Sequence, residues 1–299
     1  MAAVHVLLVT AATPAVWGTT YAVTTELLPP GRPLLAAAVR ALPAGLLLLA
    51  VTRRLPTGDW WWRSAVLGTL NIGAFFALLF VSAYRLPGGI AAVVGAAQPL
   101  LVAGLSVLLL ADRVPVRTFL AGAAGAAGVA LTVLTAEAAL DPVGLLAGVA
   151  GTASMGVGVV LTKRWGRPAP LLTVTAWQLT AGGLLLLPLA LLVEGAPPAM
   201  TATHVAGYAY LSLVGGALAY AVWFRGVERL PASSVSLLAL LSPVVATALG
   251  WLALGERLTA LQAVGMAVAL GSVVAGQRRT APPPVPAQRV PERALAPAA

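Results

Sequence analysis

Long runs of apolar residues, separated by short polar segments, recur along almost the whole chain. A helix needs roughly 20 apolar residues to cross a hydrocarbon core of ~30 Å. Ten runs of about that length are present, and they extend over residues 4–25, 34–52, 64–84, 88–111, 116–136, 142–162, 171–193, 205–224, 232–255 and 259–276. Apolar and polar residues do not alternate within them, as they would in a transmembrane β-barrel. The pattern predicts an all-α polytopic membrane protein with ten transmembrane helices.

The composition agrees with this pattern and excludes several classes of function. Hydrophobic residues make up 60% of the 299 residues and charged residues only 9%, whereas a soluble domain has ~25% charged residues. With no cysteine and two histidines, we expect no disulfide, no metal site and no cofactor. The chain also lacks a Walker A motif and a soluble stretch long enough to bind a nucleotide, which excludes ATP coupling within this chain.

The basic residues indicate the orientation of the spans. If the N-terminus is cytoplasmic, 14 of the 18 arginine and lysine residues lie in cytoplasmic loops or in the C-terminal tail. Since cytoplasmic loops carry an excess of positive charge, we expect both termini in the cytoplasm and the chain in the cytoplasmic (inner) membrane of a bacterium. The charge is a topology signal, so the lipid bilayer is an expected partner and nucleic acid is not. Residues 278–299, rich in proline and arginine, are expected to form a disordered tail.

The chain contains an internal repeat. The matched pairs, at offsets of 138 or 144 residues, include Gly18 with Gly156, Arg40 with Gln178, Arg85 with Arg229, and Pro99 with Pro243. Five helices separate the copies, an odd number, so equivalent helices must run in opposite directions through the bilayer. Inverted repeats are a common design of secondary transporters, because exchanging the conformations of the two halves opens the protein to the other side. We therefore predict five-helix repeats at residues 1–140 and 141–277.

A set of short motifs resembles one known family. The motifs are Trp17-Gly18-Thr19-Thr20 in span one, Arg40 in span two, and the paired patterns Leu86-Pro87 to Gln98-Pro99 to Asp112-Arg113 and Leu230-Pro231 to Ser242-Pro243 to Glu256-Arg257. Over residues 4–277, their order, spacing and duplication resemble the EamA-type transporters of the drug/metabolite transporter superfamily. The resemblance implies a path for a small-molecule substrate between the two repeats and the efflux of amino acids or other small metabolites.

Polar and aromatic residues at membrane depth are the candidates for substrate binding, because ionisable and amide groups are costly in lipid. Arg40 is the one charge placed well inside a span; it either binds a substrate carboxylate or closes a gate, or else it snorkels or caps a neighbouring helix. The candidates are Trp17, Thr20, Arg40, Asn71, Gln98, Trp177, Gln178, Tyr220, Trp223 and Ser242. The alternative for the amides is interhelical packing, and for the tryptophans interface anchoring or core packing.

Two prolines and two acids carry further hypotheses. Pro99 and Pro243 each remove a hydrogen bond within a predicted helix, so they act either as hinges for alternating access or as static kinks. The acids of the apolar region lie at predicted span ends. This placement favours a facilitator, or an exchanger with a proton site at a helix end such as Glu26 or Glu256.

Small residues are frequent in spans five and ten. Gly122, Gly125 and Gly128 in span five permit close helix packing, and span ten has a similar series at Ala263, Ala267 and Gly271. The two spans therefore form either an internal scaffold or the seam of a homodimer.

Two other classes of function compete with transport. A membrane-embedded enzyme would need paired acids, serine with histidine, or metal ligands at depth, and the predicted spans offer none of these. A non-transporting scaffold would have no use for an inverted duplication. We therefore predict a transporter and not an enzyme.

Overall fold

The computed structural model describes residues 2–86, 95, 98–110, 115–133, 141–230, 237–253 and 259–277. These residues form helices and connecting turns, with no strand among them. Six helical segments of the described part are long and apolar enough to cross a membrane, namely His5–Leu27, Pro33–Thr52, Trp60–Arg85, Pro142–Trp165, Leu171–Glu194 and Ala202–Trp223. The prediction of an all-α, multi-pass membrane protein is therefore confirmed.

The first half contains seven described helices. They are α1 (Ala2–Gly18), α2 (Thr20–Leu27), α3 (Pro33–Thr52), α4 (Trp60–Gly68), α5 (Phe75–Arg85), α6 (Gln98–Leu110) and α7 (Val116–Val133). A π-helical turn at Thr69–Ala74 joins α4 to α5 within one span. Span one is broken at Thr19, whose Oγ1 donates to the carbonyl oxygen of Val16 (2.7 Å) and lies 2.7 Å from the hydroxyl of Tyr210. Such local side-chain bonds compete with the helical backbone bonds.

The second half follows the same plan. Its described helices are α8 (Pro142–Trp165), α9 (Leu171–Glu194), α10 (Ala202–Ala209), α11 (Ala219–Arg229), α12 (Leu241–Ala253) and α13 (Ala260–Gln277). A π-helical turn at Tyr210–Leu218 joins α10 to α11. Asp141 caps α8 by accepting from the backbone N–H of Gly144 (2.8 Å), because a carboxylate satisfies an otherwise unpaired donor there. The first residues of predicted spans four and nine, and the tail 278–299, lie outside the described residues.

Helices α3 and α9 lie in the centre of the bundle and run antiparallel. The carboxylate of Glu194, at the end of α9, accepts from the backbone N–H groups of Leu34 (2.6 Å) and Leu35 (3.0 Å) at the start of α3. Beyond the other end of α3, the carbonyl oxygen of Arg54 accepts from Nε1 of Trp177 (2.6 Å). The two helices are thus fastened together near both ends.

Two glycines allow α3 and α9 to approach closely. A Cβ on Gly45 would lie 2.7 Å from Oγ1 of Thr180, and a Cβ on Gly183 would lie 2.7 Å from Cβ of Leu42. The offset of 138 residues relates Gly45 to Gly183 and also Leu42 to Thr180. The two contacts are therefore reciprocal, which is compatible with a two-fold axis between the helices.

Helices α7 and α13 pack against each other through small residues of the same chain. A Cβ on Gly128 would lie 2.6 Å from the nitrogen of Ala269 and 2.7 Å from the carbonyl oxygen of Gly265. Part of the small-residue surface is therefore used inside the chain. Ala263 and Ala267 occupy exposed positions of α13, and a homodimer through that face stays a prediction.

Candidate functional site

Arg40 is the buried charge at the centre of the described bundle. Only 3% of the residue is exposed, and no other charged residue among the described side chains is buried. Its Nη1 donates to Oγ1 of Thr20 (3.3 Å), at the start of α2, which brings two of the predicted site residues together. Its Nε has no hydrogen-bond partner among the described residues. Because guanidinium has five N–H donors, the site has unused capacity for an acceptor.

Aromatic residues surround this guanidinium. Its Cζ lies 4.8 Å from the ring centroid of Phe76 and 6.0 Å from that of Phe80. Three tyrosines lie within electrostatic range of Arg40, namely Tyr21, Tyr210 and Tyr220. Ring faces attract a cation but do not neutralise it, so the centre of the site keeps a positive charge.

Three predicted aromatic residues form one cluster beside the cation. The ring of Trp17 lies 5.4 Å from that of Tyr220 and 5.1 Å from that of Trp223, with tilted planes in both pairs. Tilted rings at these distances attract one another beyond simple area burial. The cluster offers a flat apolar surface close to a charged group.

Each half donates one side-chain hydrogen bond to the π-helical turn of the other half. Nε1 of Trp17 on α1 donates to the carbonyl oxygen of Gly215 (3.0 Å), and Oγ of Ser154 on α8 donates to that of Leu70 (2.8 Å). π-helical turns are frequent at functional sites. Here they accept these bonds at corresponding places in the two halves.

Asn71 and Gln178 form a neutral counterpart of the Arg40 site. Nδ2 of Asn71 donates to Oε1 of Gln178 (2.8 Å) and lies 3.4 Å from Oγ1 of Thr162, while Oδ1 of Asn71 has no partner among the described residues. Gln178 is the repeat equivalent of Arg40. The two halves therefore place a cation at one position and an amide pair at the other.

The first helix of each half shows the same correspondence. Oγ1 of Thr24 donates to the carbonyl oxygen of Thr20 (2.7 Å), and Oγ1 of Thr162 donates to that of Gly158 (2.8 Å). Thr162 and Gly158 are the residues 138 positions after Thr24 and Thr20. A Cβ on Gly158 would overlap Oδ1 of Asn71. The Asn71 amide thus fills the space that a side chain at Gly158 would need.

Trp177 is buried but lies apart from the Arg40 cluster. Its indole nitrogen donates to the carbonyl oxygen of Arg54, and its ring lies 6.4 Å from that of Trp60. These contacts fix the end of α9 against the loop after α3. The structure does not bring Trp177 together with the other predicted aromatic residues.

Gln98 and Ser242 are half-buried, and both lie near the first described residues of their helices. A Cβ on Gly18 would lie 2.5 Å from the carbonyl oxygen of Ser242, so α1 passes very close to the backbone at that point. No hydrogen bond printed for the described residues joins either side chain to Arg40.

The predicted hinges and acids are placed as follows. Pro243 is the third residue of α12, after a turn at residues 239–240, and a proline in the first turn removes no helical hydrogen bond. Pro99 is the second described residue of α6. Glu26 is exposed on α2, and Glu256 lies outside the described residues.

Four site residues were not predicted from the sequence. They are Phe76, Phe80, Tyr210 and Thr162. Phe76 and Phe80 follow Asn71 at helical spacing, which is a usable signal. It does not distinguish these rings from ordinary apolar residues of the same span.

The comparison with known families now has a site to refer to. The model of the EamA-like transporter family matches residues 4–134 and, separately, residues 142–275. This chain belongs to the EamA-like transporter family. Because the two matches leave out little more than the tail, the EamA-like description applies to nearly the whole chain.

EamA-like relatives cover most of the chain. Protein PecM of Dickeya dadantii (strain 3937) is 51% identical over 255 residues, which are 85% of this chain and 86% of PecM. A WAT1-related chloroplastic protein of Arabidopsis thaliana is 29% identical over 84% of this chain and 64% of its own length. A protein of known crystal structure has the same fold, with 20% identity and a TM-score of 0.75 over 91% of this chain and 96% of that one.

Proposed function

We propose that this EamA-like protein is a secondary transporter that exports small carboxylate-bearing metabolites, such as amino acids, by alternating access between two inverted five-helix repeats. The observation that carries the proposal is Arg40, a buried cation with an unpaired Nε and no buried acid among the described side chains. An uncompensated charge in a membrane is costly. A substrate carboxylate offers two acceptor oxygens that match the fork of a guanidinium.

The surroundings of Arg40 suit the rest of such a substrate. The Trp17, Tyr220 and Trp223 rings offer an apolar surface, and ring faces and tyrosine hydroxyls can hold an ammonium group. In the present conformation the guanidinium is covered by these and other side chains. A substrate therefore reaches Arg40 only after the helices separate, and alternating access supplies that separation.

Several contacts support the inverted repeats. The Gly45–Thr180 and Gly183–Leu42 contacts are reciprocal, and the family model matches the chain twice. Repeats of opposite topology allow one half to adopt the conformation of the other and so to expose the site on the opposite side. The excess of arginine in every second loop supports placing both termini in the cytoplasm of a bacterium.

The coupling mode follows from the placement of the acids. Arg40 is the buried charge among the described side chains, and Glu26 is exposed. Proton coupling usually uses an ionisable group at depth. We therefore favour facilitated diffusion or exchange, and a transport role in preference to enzymatic activity.

The test is counterflow of labelled compounds in proteoliposomes that contain wild-type protein, Arg40→Lys, Arg40→Gln or the control Arg117→Gln, which changes an exposed arginine on α7. The panel pairs each amino acid with its amide or methyl ester. We expect carboxylate flux in the wild type and in Arg117→Gln, a loss of tenfold or more in Arg40→Gln, and partial flux in Arg40→Lys, which keeps the charge without the fork.

Two results would contradict the proposal. If folded wild-type protein exchanged no compound of the panel, the assignment of these substrates would fail. If Arg40→Gln reduced the flux of carboxylates and of their amides equally, Arg40 would be a structural residue. Monodisperse elution in size-exclusion chromatography ensures that each variant is folded.

A further inference from the structure

An open groove of about 350 Å³ lies at the end of α3. Its lining residues are Leu46, Leu49, Ala50, Arg53, Arg54 and Leu55. Leu46 is 50% exposed and Leu55 is 61% exposed, so the apolar side of the groove faces outward from the bundle. The groove therefore combines an outward apolar wall with two adjacent cations.

The charged end of this groove is held in one conformation. Arg53 adopts the left-handed backbone region (φ 52°), and its N–H donates to the carbonyl oxygen of Leu49 (2.8 Å). The carbonyl oxygen of Arg54 accepts from the indole of Trp177 (2.6 Å). Both backbone positions are thus fixed, so a ligand of the two side chains would not have to order the loop.

The two arginines have no acidic partner among the described residues. The ion pairs there join Arg63 to Asp59 (3.3 Å) and Arg85 to Asp141 (3.2 Å). Asp59, the acid nearest in sequence, is therefore engaged elsewhere. Two exposed guanidinium groups beside an apolar wall call for a ligand that has an anionic head and an apolar body.

We propose that this groove binds an anionic phospholipid. The phosphate lies between Arg53 and Arg54, which bind phosphate through paired N–H donors, and the first part of an acyl chain lies along Leu46, Leu49 and Ala50. The groove is at the end of a membrane-length helix, where lipid headgroups are located. A free phosphate ion would use the two cations but leave the apolar wall uncovered.

The groove adjoins the helix that carries Gln178. Trp177, which fastens the Arg54 carbonyl, is the preceding residue on α9. The lipid is therefore bound at a joint between two central helices, and its binding does not depend on which substrate the protein carries.

The experiment is native mass spectrometry of detergent-purified protein titrated with phosphatidylglycerol or phosphatidylcholine, with melting temperatures measured alongside in either lipid or in inorganic phosphate. The variants are Arg53→Gln/Arg54→Gln, Leu46→Trp, which fills the apolar wall and leaves both cations, and the control Arg117→Gln. Since each surface arginine contributes roughly a fivefold gain in affinity for an anionic lipid, we expect phosphatidylglycerol binding to fall about tenfold or more in the double variant. It should fall also in Leu46→Trp and stay unchanged in Arg117→Gln.

Three results would overturn the proposal. Equal binding of phosphatidylglycerol to wild-type protein and the double variant would show that the cations are not used. Full binding to Leu46→Trp would remove the role of the apolar wall, and it decides the matter if the double variant does not fold. Stabilisation by inorganic phosphate equal to that by phosphatidylglycerol would indicate a phosphate-ion site instead.

Discussion

Nδ2 of Asn71 donates a 2.8 Å hydrogen bond to Oε1 of Gln178, and this bond joins the π-helical turn of the first half to α9 of the second half. Gln178 is the repeat equivalent of Arg40. One half thus meets its neighbour through a neutral amide pair, where the other half presents a cation. The amide pair holds the halves together without any ligand, whereas the cation is completed by one under the proposed function.

The amide pair is expected to stabilise the folded protein as a unit. Interhelical hydrogen bonds in membrane proteins contribute about 0.6 kcal/mol on average and at most about 1.7 kcal/mol in double-mutant cycles. We expect a coupling energy in this range between Asn71→Ala and Gln178→Ala, measured from unfolding in mild detergent. Asn71→Ala with Thr25→Ala, which changes an exposed residue, should be additive. Additivity in the Asn71–Gln178 cycle would mean that the bond contributes nothing.

The reciprocal glycines are expected to tolerate no side chain. A Cβ on Gly45 would lie 2.5 Å from the nitrogen of Thr180, so Gly45→Ala must push α3 away from α9, at a cost of about 1–3 kcal/mol for overpacking. Gly271→Ala is the control, because nothing lies within 4 Å of its Cβ, and it should be neutral or slightly stabilising. Melting temperatures decide the matter: equal values for the two variants would contradict the close contact.

Trp17 is expected to act mainly through its ring. Trp17→Phe removes the bond to the Gly215 carbonyl but keeps an aromatic surface against Tyr220, and a single hydrogen bond is worth about 0.5–1.5 kcal/mol net. Trp17→Ala removes both, so it should lower the melting temperature and transport more than Trp17→Phe. Trp61→Ala, at a residue that is 58% exposed, is the control and should leave both unchanged. Equal effects of the two Trp17 variants would show that the ring surface is not used.

Asp141 is expected to make stability depend on pH in the acid range. The backbone N–H of Gly144 and the guanidinium of Arg85 hold the pKa of this carboxyl below its ordinary value. A lowered pKa stabilises the folded state above the ordinary aspartate value and loses this effect as the pH falls through the lowered one. The melting temperature of Asp141→Ala should therefore be below that of the wild type at pH 7, and the gap should close in acid.

The control for this titration is Asp59→Ala, since Asp59 pairs with Arg63 but accepts no capping bond from the start of α4. Its gap to the wild type should be smaller at every pH. A gap for Asp141→Ala that stayed constant down to pH 3 would rule out the carboxylate as its source.

The sequence predicted the helices and the charged centre because both have strong local signals. Apolar runs of membrane length indicate spans, and a charge inside a span is rare enough to single out Arg40. The offset of 138 residues also applies to Gly45 and Gly183. Their importance becomes clear only from the close contacts that they make across the two halves.

Other parts of the site depend on contacts that leave no local trace. The break at Thr19 involves the hydroxyl of Tyr210, 191 residues further along the chain. Trp177 was predicted with the site aromatics, but its indole bonds to Arg54, at the far end of α3. An indole at membrane depth is equally suited to both roles, so its neighbours decide which one it has.

The single cation among two equivalent helices has an electrical consequence. An elementary charge that crosses the full membrane field gains or loses about 2.3 kcal/mol per 100 mV. If the halves exchange conformations, the depth of Arg40 in the field changes, whereas that of Gln178 carries no charge with it. The empty carrier is then driven by the membrane potential, and a bound carboxylate cancels that force. Voltage would thus act on the return of the empty protein more than on the passage of its cargo.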